Sequence, residues 1–195
     1  MSNLLMKINH KKLVDLLQKA YSAEKAAAFA YIGHYGSLRS KEEREAIKVI
    51  ENDEWLHRKE VLEIMRQYDI PISKFYEFQF YVIGKFIAIS CYIIGWFMPF
   101  YFAGRLESGN VCEYFVMMHY FHELGIRDHD KVLYNMGLKE KEHEEYFLSK
   151  IQSSRLLPIF EKVFKWGKVR SYNDIEMKAL KAVEESNAYC KNVKR

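Results

Sequence analysis

The chain has 195 residues, 30 Lys and Arg against 26 Asp and Glu, a net charge of +4 and 49% hydrophobic residues. That length suits one domain with a sizeable core plus an appendage. The apolar content excludes global disorder, and no Lys/Arg stripe interleaved with aromatics marks a nucleic-acid groove. Three cysteines, Cys91, Cys112 and Cys190, form no close pair. Their spacing argues against a disulfide framework, a zinc site or an iron–sulfur cluster, and makes a reducing, cytoplasmic setting the default. Met1 to Lys12 is too polar to read as a signal peptide.

Between the three prolines the hydrophobic period is helical, which predicts an all-α fold. The first predicted helix is capped by Asn9 and carries an inward stripe at Leu13, Leu17, Ala20, Glu24, Ala27, Tyr31, His34 and Leu38. Ser40 then opens a capping box with Glu43. The second helix carries Ile47, Ile50, Glu54, His57, Val61, Ile64 and Tyr68, and Pro71 follows as a stop.

From Phe86 to Gly104 there are 19 residues without a charge, bracketed by Lys85 and Arg105. The length is marginal for a bilayer span, and Gly95 and Pro99 interrupt it. A span would also put the first two helices and the last two on opposite sides of the membrane. The run therefore reads as a hydrophobic connection into the third bundle helix, partly buried and partly open to lipid or an apolar substrate.

The third bundle helix carries Glu113 in a stripe with Val116, Tyr120 and Leu124, with Glu107 as its reserve six residues earlier. The fourth is predicted to start near Asp128 and to carry Leu133, Met136, Glu140, His143, Phe147 and Ile151. These elements define a bundle over residues 9–152 and a C-terminal amphipathic extension over 153–195. Aromatic and aliphatic residues from Leu156 to Trp166 stand among Lys162, Lys165, Lys168 and Arg170. That mixture suits either a helix lying in a membrane interface or a fifth helix packed on the bundle. Residues after Ser171 read as a solvated amphipathic helix.

The chemistry is carried by two Glu-x-x-His motifs, Glu54-Trp55-Leu56-His57 and Glu140-Lys141-Glu142-His143. A Glu and a His three apart share a helix face and can hold one metal ion together. Each motif follows a lone Glu on the preceding bundle helix, Glu24 in the first case and Glu113 in the second. Glu24 and Glu54 each lie about 14 residues from the turn at 38–40, and Glu113 and Glu140 about 13 from a turn at 125–127. Both pairs should therefore come level at about 1.5 Å per residue.

All six lie inside apolar stripes, where an uncompensated carboxylate costs several kcal/mol, about the reverse of what a solvated charged face would show. Four Glu and two neutral His formally neutralise two divalent ions. Carboxylate with imidazole suits iron or manganese rather than structural zinc. The expected chemistry is reductive activation of dioxygen or peroxide. No catalytic residue is read beyond the six ligands, and no separate cofactor-binding residue. His34 and His119 read as packed residues or hydrogen-bond partners of ligands, and Tyr21, Tyr31, Tyr120 and Tyr146 as core tyrosines.

Six ligand positions of this kind resemble the ferritin-like di-iron carboxylate superfamily, a four-helix bundle with two metal ions in its core. Within it the chain is most similar to the demethoxyubiquinone hydroxylase (Coq7-type) family over roughly residues 15–150. The similarity rests on Glu24, Glu54 with His57, Glu113 followed by His119-Tyr120, Glu140 with His143, and Pro71 before a long apolar segment. It implies a monooxygenase that hydroxylates a quinone or similar apolar ring, with two iron ions and an external reductant such as NADH. It also implies peripheral association with the cytoplasmic membrane face, and it leaves self-association open. Where that family has Asp-His-Ala-Gly-Glu, this chain has Ala20-Tyr21-Ser22-Ala23-Glu24, which puts the substrate in question. A rubrerythrin- or ferritin-like protein that scavenges peroxide or oxidises iron is the competing expectation, suggested by Glu144 and Tyr146-Phe147. A metal-free interaction bundle is the third.

Overall fold

The computed structural model describes residues 7–166 and Leu180. Among them there are six α-helices and no strand. The chain divides between Trp96 and Phe97 into two compact units. The expected amphipathic segment after Ser171 lies outside the described residues, as does Cys190.

The first unit holds α1 (Lys11–Ser37), α2 (Lys41–Gln67) and α3 (Lys74–Ser90). His10, rather than Asn9, caps α1: its Nδ1 accepts the Leu13 N–H at 3.0 Å. Ser40 caps α2 by accepting the Glu43 N–H, as the capping box predicts. The stripes Leu13–Leu17–Ala20 on α1 and Ile47–Ile50–Val61–Ile64 on α2 are buried, so the two helices pair through the faces their period assigns.

The third helix of this unit, α3, takes in only the first residues of the apolar connection expected over Phe86 to Gly104. It packs on α1 at two points of very close approach. A Cβ at Gly33 would collide with the Ala88 backbone, and one at Gly84 with the Ala26 backbone. Polar groups hold the same side of the helix. The Arg58 guanidinium lies 3.6 Å from the Tyr21 ring centroid and donates two hydrogen bonds of 3.0 Å to the Glu77 carboxylate. Lys25 reaches Glu77 at 3.0 Å, and the Tyr76 hydroxyl donates to Asp15 at 2.6 Å.

The outer side of α3 is apolar. Phe75, Phe78 and Phe86 are 70%, 71% and 72% exposed, and Val82 and Ile89 are exposed with them. The helix thus seats Gly84 and Glu77 on its inner side and leaves large apolar residues exposed beside Lys74 and Lys85, where an ordinary surface helix would bury them. The expected apolar connection is divided: Phe86–Ser90 ends α3, 91–96 form a turn, and Phe97 begins the next helix. No helix of the described residues is long and apolar enough to cross a membrane.

The second unit holds α4 (Phe97–Glu123), α5 (Asp130–Ile151) and α6 (Leu157–Phe164). The predicted α5 stripe, Leu133 through Ile151, is buried throughout. The short α6 lays Phe160 against Phe97 and Tyr101 of α4 at 5.0 and 5.2 Å between ring centroids, while Ile159 and Val163 stay exposed. Between the two sequence alternatives for this stretch, α6 is a helix packed on its own unit that also keeps an outward apolar edge. Trp166, just past it, is fully buried. Cys91 is a free, buried thiol.

Candidate metal centre

Each unit carries its own buried set of two carboxylates and one imidazole. In the first, α1 supplies Glu24 and α2 supplies Glu54 and His57, which are 5%, 0% and 3% exposed. Each offers a ligand atom, and these atoms lie within 4.8 Å of one another. The Glu-x-x-His spacing explains the α2 pair, because three residues advance about 300° and one turn, so both side chains leave from one face. Glu24 meets them across the α1–α2 hairpin.

In the second unit the set is Glu107 from α4 with Glu140 and His143 from α5, all buried and again within 4.8 Å. His143 Nδ1 lies 3.4 Å from Glu140 Oε2. Asn110 donates to Glu107 Oε2 at 3.0 Å. Burial first, then the negative charge of Glu140 and a hydrogen bond with it, push the Glu107 pKa well above the ordinary carboxylate range. A cation among these groups would reverse that balance.

Glu113 is not brought to this set. It is half-buried on α4 while Glu107, its reserve, stands beside Glu140 and His143. The cause is the register of the hairpin. Phe115 meets Tyr134, Gly137 faces Val111 and the Phe115 ring, and Phe100 meets Phe147. Counting along those steps puts Glu107 opposite Glu140. The turn is where residue counting fails. His129 already lies 4.7 Å from Phe121 between ring centroids, before α5 begins at Asp130. Residues 126–129 therefore run back along α4 outside a helix, covering more than the about 1.5 Å per residue of helical rise.

Two further buried carboxylates stand close to the ligand sets and are already engaged. Glu51 accepts from Lys48 at 2.7 Å and from the Trp55 indole at 3.2 Å. Glu144 accepts from Lys141 at 3.3 Å and from the Trp166 indole at 2.8 Å. In both cases a Lys three residues earlier and an indole N–H offset the burial, so these groups are anchors rather than ligands. The sequence signal for them was the Lys three positions before each Glu.

The other histidines have separate roles. His34 is buried, and burial pulls its pKa down to about 4. His122 pairs with Asp130 at 2.6 Å. His129 is buried on Phe121, and His119 stands in ring contact with His122.

Neither ligand set contains a cysteine. Two carboxylates and an imidazole are the donors a hard or borderline divalent ion takes, and their two negative charges match one such ion. Buried Glu and His groups in each unit could therefore hold a metal ion, and two sets are compatible with two ions. No protein-family model, curated protein or solved structure matches the chain.

Proposed function

We propose that the chain is a di-iron oxidoreductase that activates dioxygen, a Coq7-like monooxygenase acting on a quinone or similar apolar ring at a membrane surface. The observation that carries the proposal is the repetition, on both helical hairpins, of one buried Glu–Glu–His set with a Glu-x-x-His pair on its second helix. In this reading α1, α2, α4 and α5 form a ferritin-like four-helix bundle. Glu24, Glu54, His57, Glu107, Glu140 and His143 then hold two ions, iron in this reading, with manganese the alternative. Bound iron would supply the electrons by which dioxygen is activated, with an external reductant such as NADH restoring them. The chain's own part is to hold the ligand atoms in a dry core, match the charge of each ion with two carboxylates and keep bulk water out.

The membrane part of the proposal draws support from α3. An insoluble ring substrate must be collected from lipid, and α3 offers a row of exposed aromatic and branched side chains on a helix that Glu77 and Tyr76 tie to its own unit. Such a face suits insertion into the acyl–headgroup boundary.

The deciding experiment is anaerobic loading with ferrous iron, followed by optical spectra on exposure to oxygen and to peroxide, with and without quinone analogues and anionic liposomes. The proposal expects oxygen-dependent oxidation of the iron, a spectrum perturbed by quinone analogues, and liposome binding that Phe75→Ser and Phe86→Ser weaken. Consumption of peroxide much faster than oxygen, with indifference to liposomes and quinones, would transfer the assignment to a peroxide scavenger.

A further inference from the structure

Trp166 follows α6, yet it is fully buried and touches both helices of the second ligand set. Its indole N–H donates to Glu144 Oε1 at 2.8 Å. Glu144 directly follows His143 and lies one turn after Glu140. The other side of the indole fills the space over Gly104, where any Cβ would collide with the ring, and its edge packs on Tyr101 at 5.4 Å between centroids. Gly104 lies one turn before Glu107. One side chain thus spans α4 and α5 within a turn of Glu107, Glu140 and His143.

We infer that Trp166 is a positioning residue for this ligand set, setting the rotation and axial register of α5 against α4 through its hydrogen bond to Glu144. The inference rests on the reading of Glu107, Glu140 and His143 as metal ligands. The alternative role is that of a core filler. The two differ in chemistry: a filler needs only ring volume, whereas a positioning residue needs the N–H. The first unit shows the same device in a local form, since the Trp55 indole donates to the buried Glu51, one turn before Glu54. Partners of this kind orient ligands that are themselves only loosely constrained by one helix.

The test uses the full chain and Co(II) as a spectroscopic probe. Trp166→Phe removes the donor together with the ring edge that lies over Gly104, so the Glu144 variants separate the two roles. The substitution should weaken binding at this ligand set about tenfold and shift the Co(II) visible bands, and the lost ring volume should also lower the melting temperature of the metal-free protein. Glu144→Met removes the acceptor and should produce the same loss. The double variant should lose no more than either alone. Glu144→Gln, whose amide oxygen can still accept the indole N–H, should stay close to wild type. Wild-type affinity and bands in Trp166→Phe would overturn the positioning role while leaving the metal reading intact. A wild-type chain that binds no Co(II), Fe(II) or Mn(II) would overturn the metal reading and this inference together. Should Trp166→Phe fail to fold, the Glu144→Met and Glu144→Gln pair decides the matter alone.

Discussion

Glu107 and Glu140 bring carboxylate oxygens within 4.8 Å of each other between α4 and α5, each with almost no exposure to solvent. Two like charges that close, in a buried site, cannot both stay ionised without a proton or a cation to separate them. The raised pKa of Glu107 is the proton answer; a divalent ion is the other.

It follows that Glu107→Ala should remove metal from the second unit, whereas Glu113→Ala should leave stoichiometry unchanged. Metal analysis of the two variants checks this. Loss in Glu113→Ala with retention in Glu107→Ala would return the role to Glu113 and contradict the register described above.

Metal should also stabilise the fold. A ligand present at a hundredfold over its dissociation constant adds about 2.7 kcal/mol, which shows as a melting point several degrees higher. Calorimetry with and without ferrous iron or manganese under anaerobic conditions measures it. Equal melting temperatures would leave the two sets as mere buried acid clusters.

The pairing of Glu77 with Arg58 and Lys25 predicts how α3 is held. Burial raises the Glu77 pKa, but hydrogen bonds from Arg58 and Lys25 outweigh it and keep the group below its usual 4.5. A lowered carboxylate pKa contributes stability that is present above 4.5 and lost as pH falls through the lower folded value. Glu77→Gln should therefore speed hydrogen exchange in α3 at neutral pH. It should cost about 1 kcal/mol, a small figure because the pair is partly exposed. Unchanged exchange in α3 would show that the Gly33–Ala88 and Gly84–Ala26 approaches hold it unaided.

His34 supplies a pH signature with the opposite charge. The folded chain keeps it neutral down to about pH 4, while an unfolded chain takes up the proton near 6.5. Stability should fall as pH drops through that window, by up to about 3 kcal/mol at pH 4. The difference between wild type and His34→Gln isolates the effect from the carboxylates that titrate in the same range. Parallel stability curves for the two would contradict it.

Much of this architecture was legible in the sequence, and the reasons are specific. The α1, α2 and α5 stripes carry strong 3.6-residue periods, and Ser40 with Glu43 marks a helix start that local chemistry alone enforces. Glu24, Glu54, His57, Glu140 and His143 stand out because acids inside an apolar stripe are costly unless matched. On α4 the period is weak, because almost every position is apolar or aromatic and two competing stripes run through it. The one that faces α5, through Phe100, Gly104, Glu107, Val111 and Phe115, is fixed by contacts across the hairpin that sequence spacing does not encode. The exposed face of α3 was illegible for a related reason: its apolar period looks like that of a buried helix, and only its seat on α1 shows which side turns outward.

Metal content per chain tests the central claim most directly. After anaerobic loading and removal of loose ions, the wild-type protein should carry close to two iron ions, and the His57→Ala/His143→Ala double variant should carry far fewer. Two ions retained in the double variant, or none in the wild type, would contradict the account.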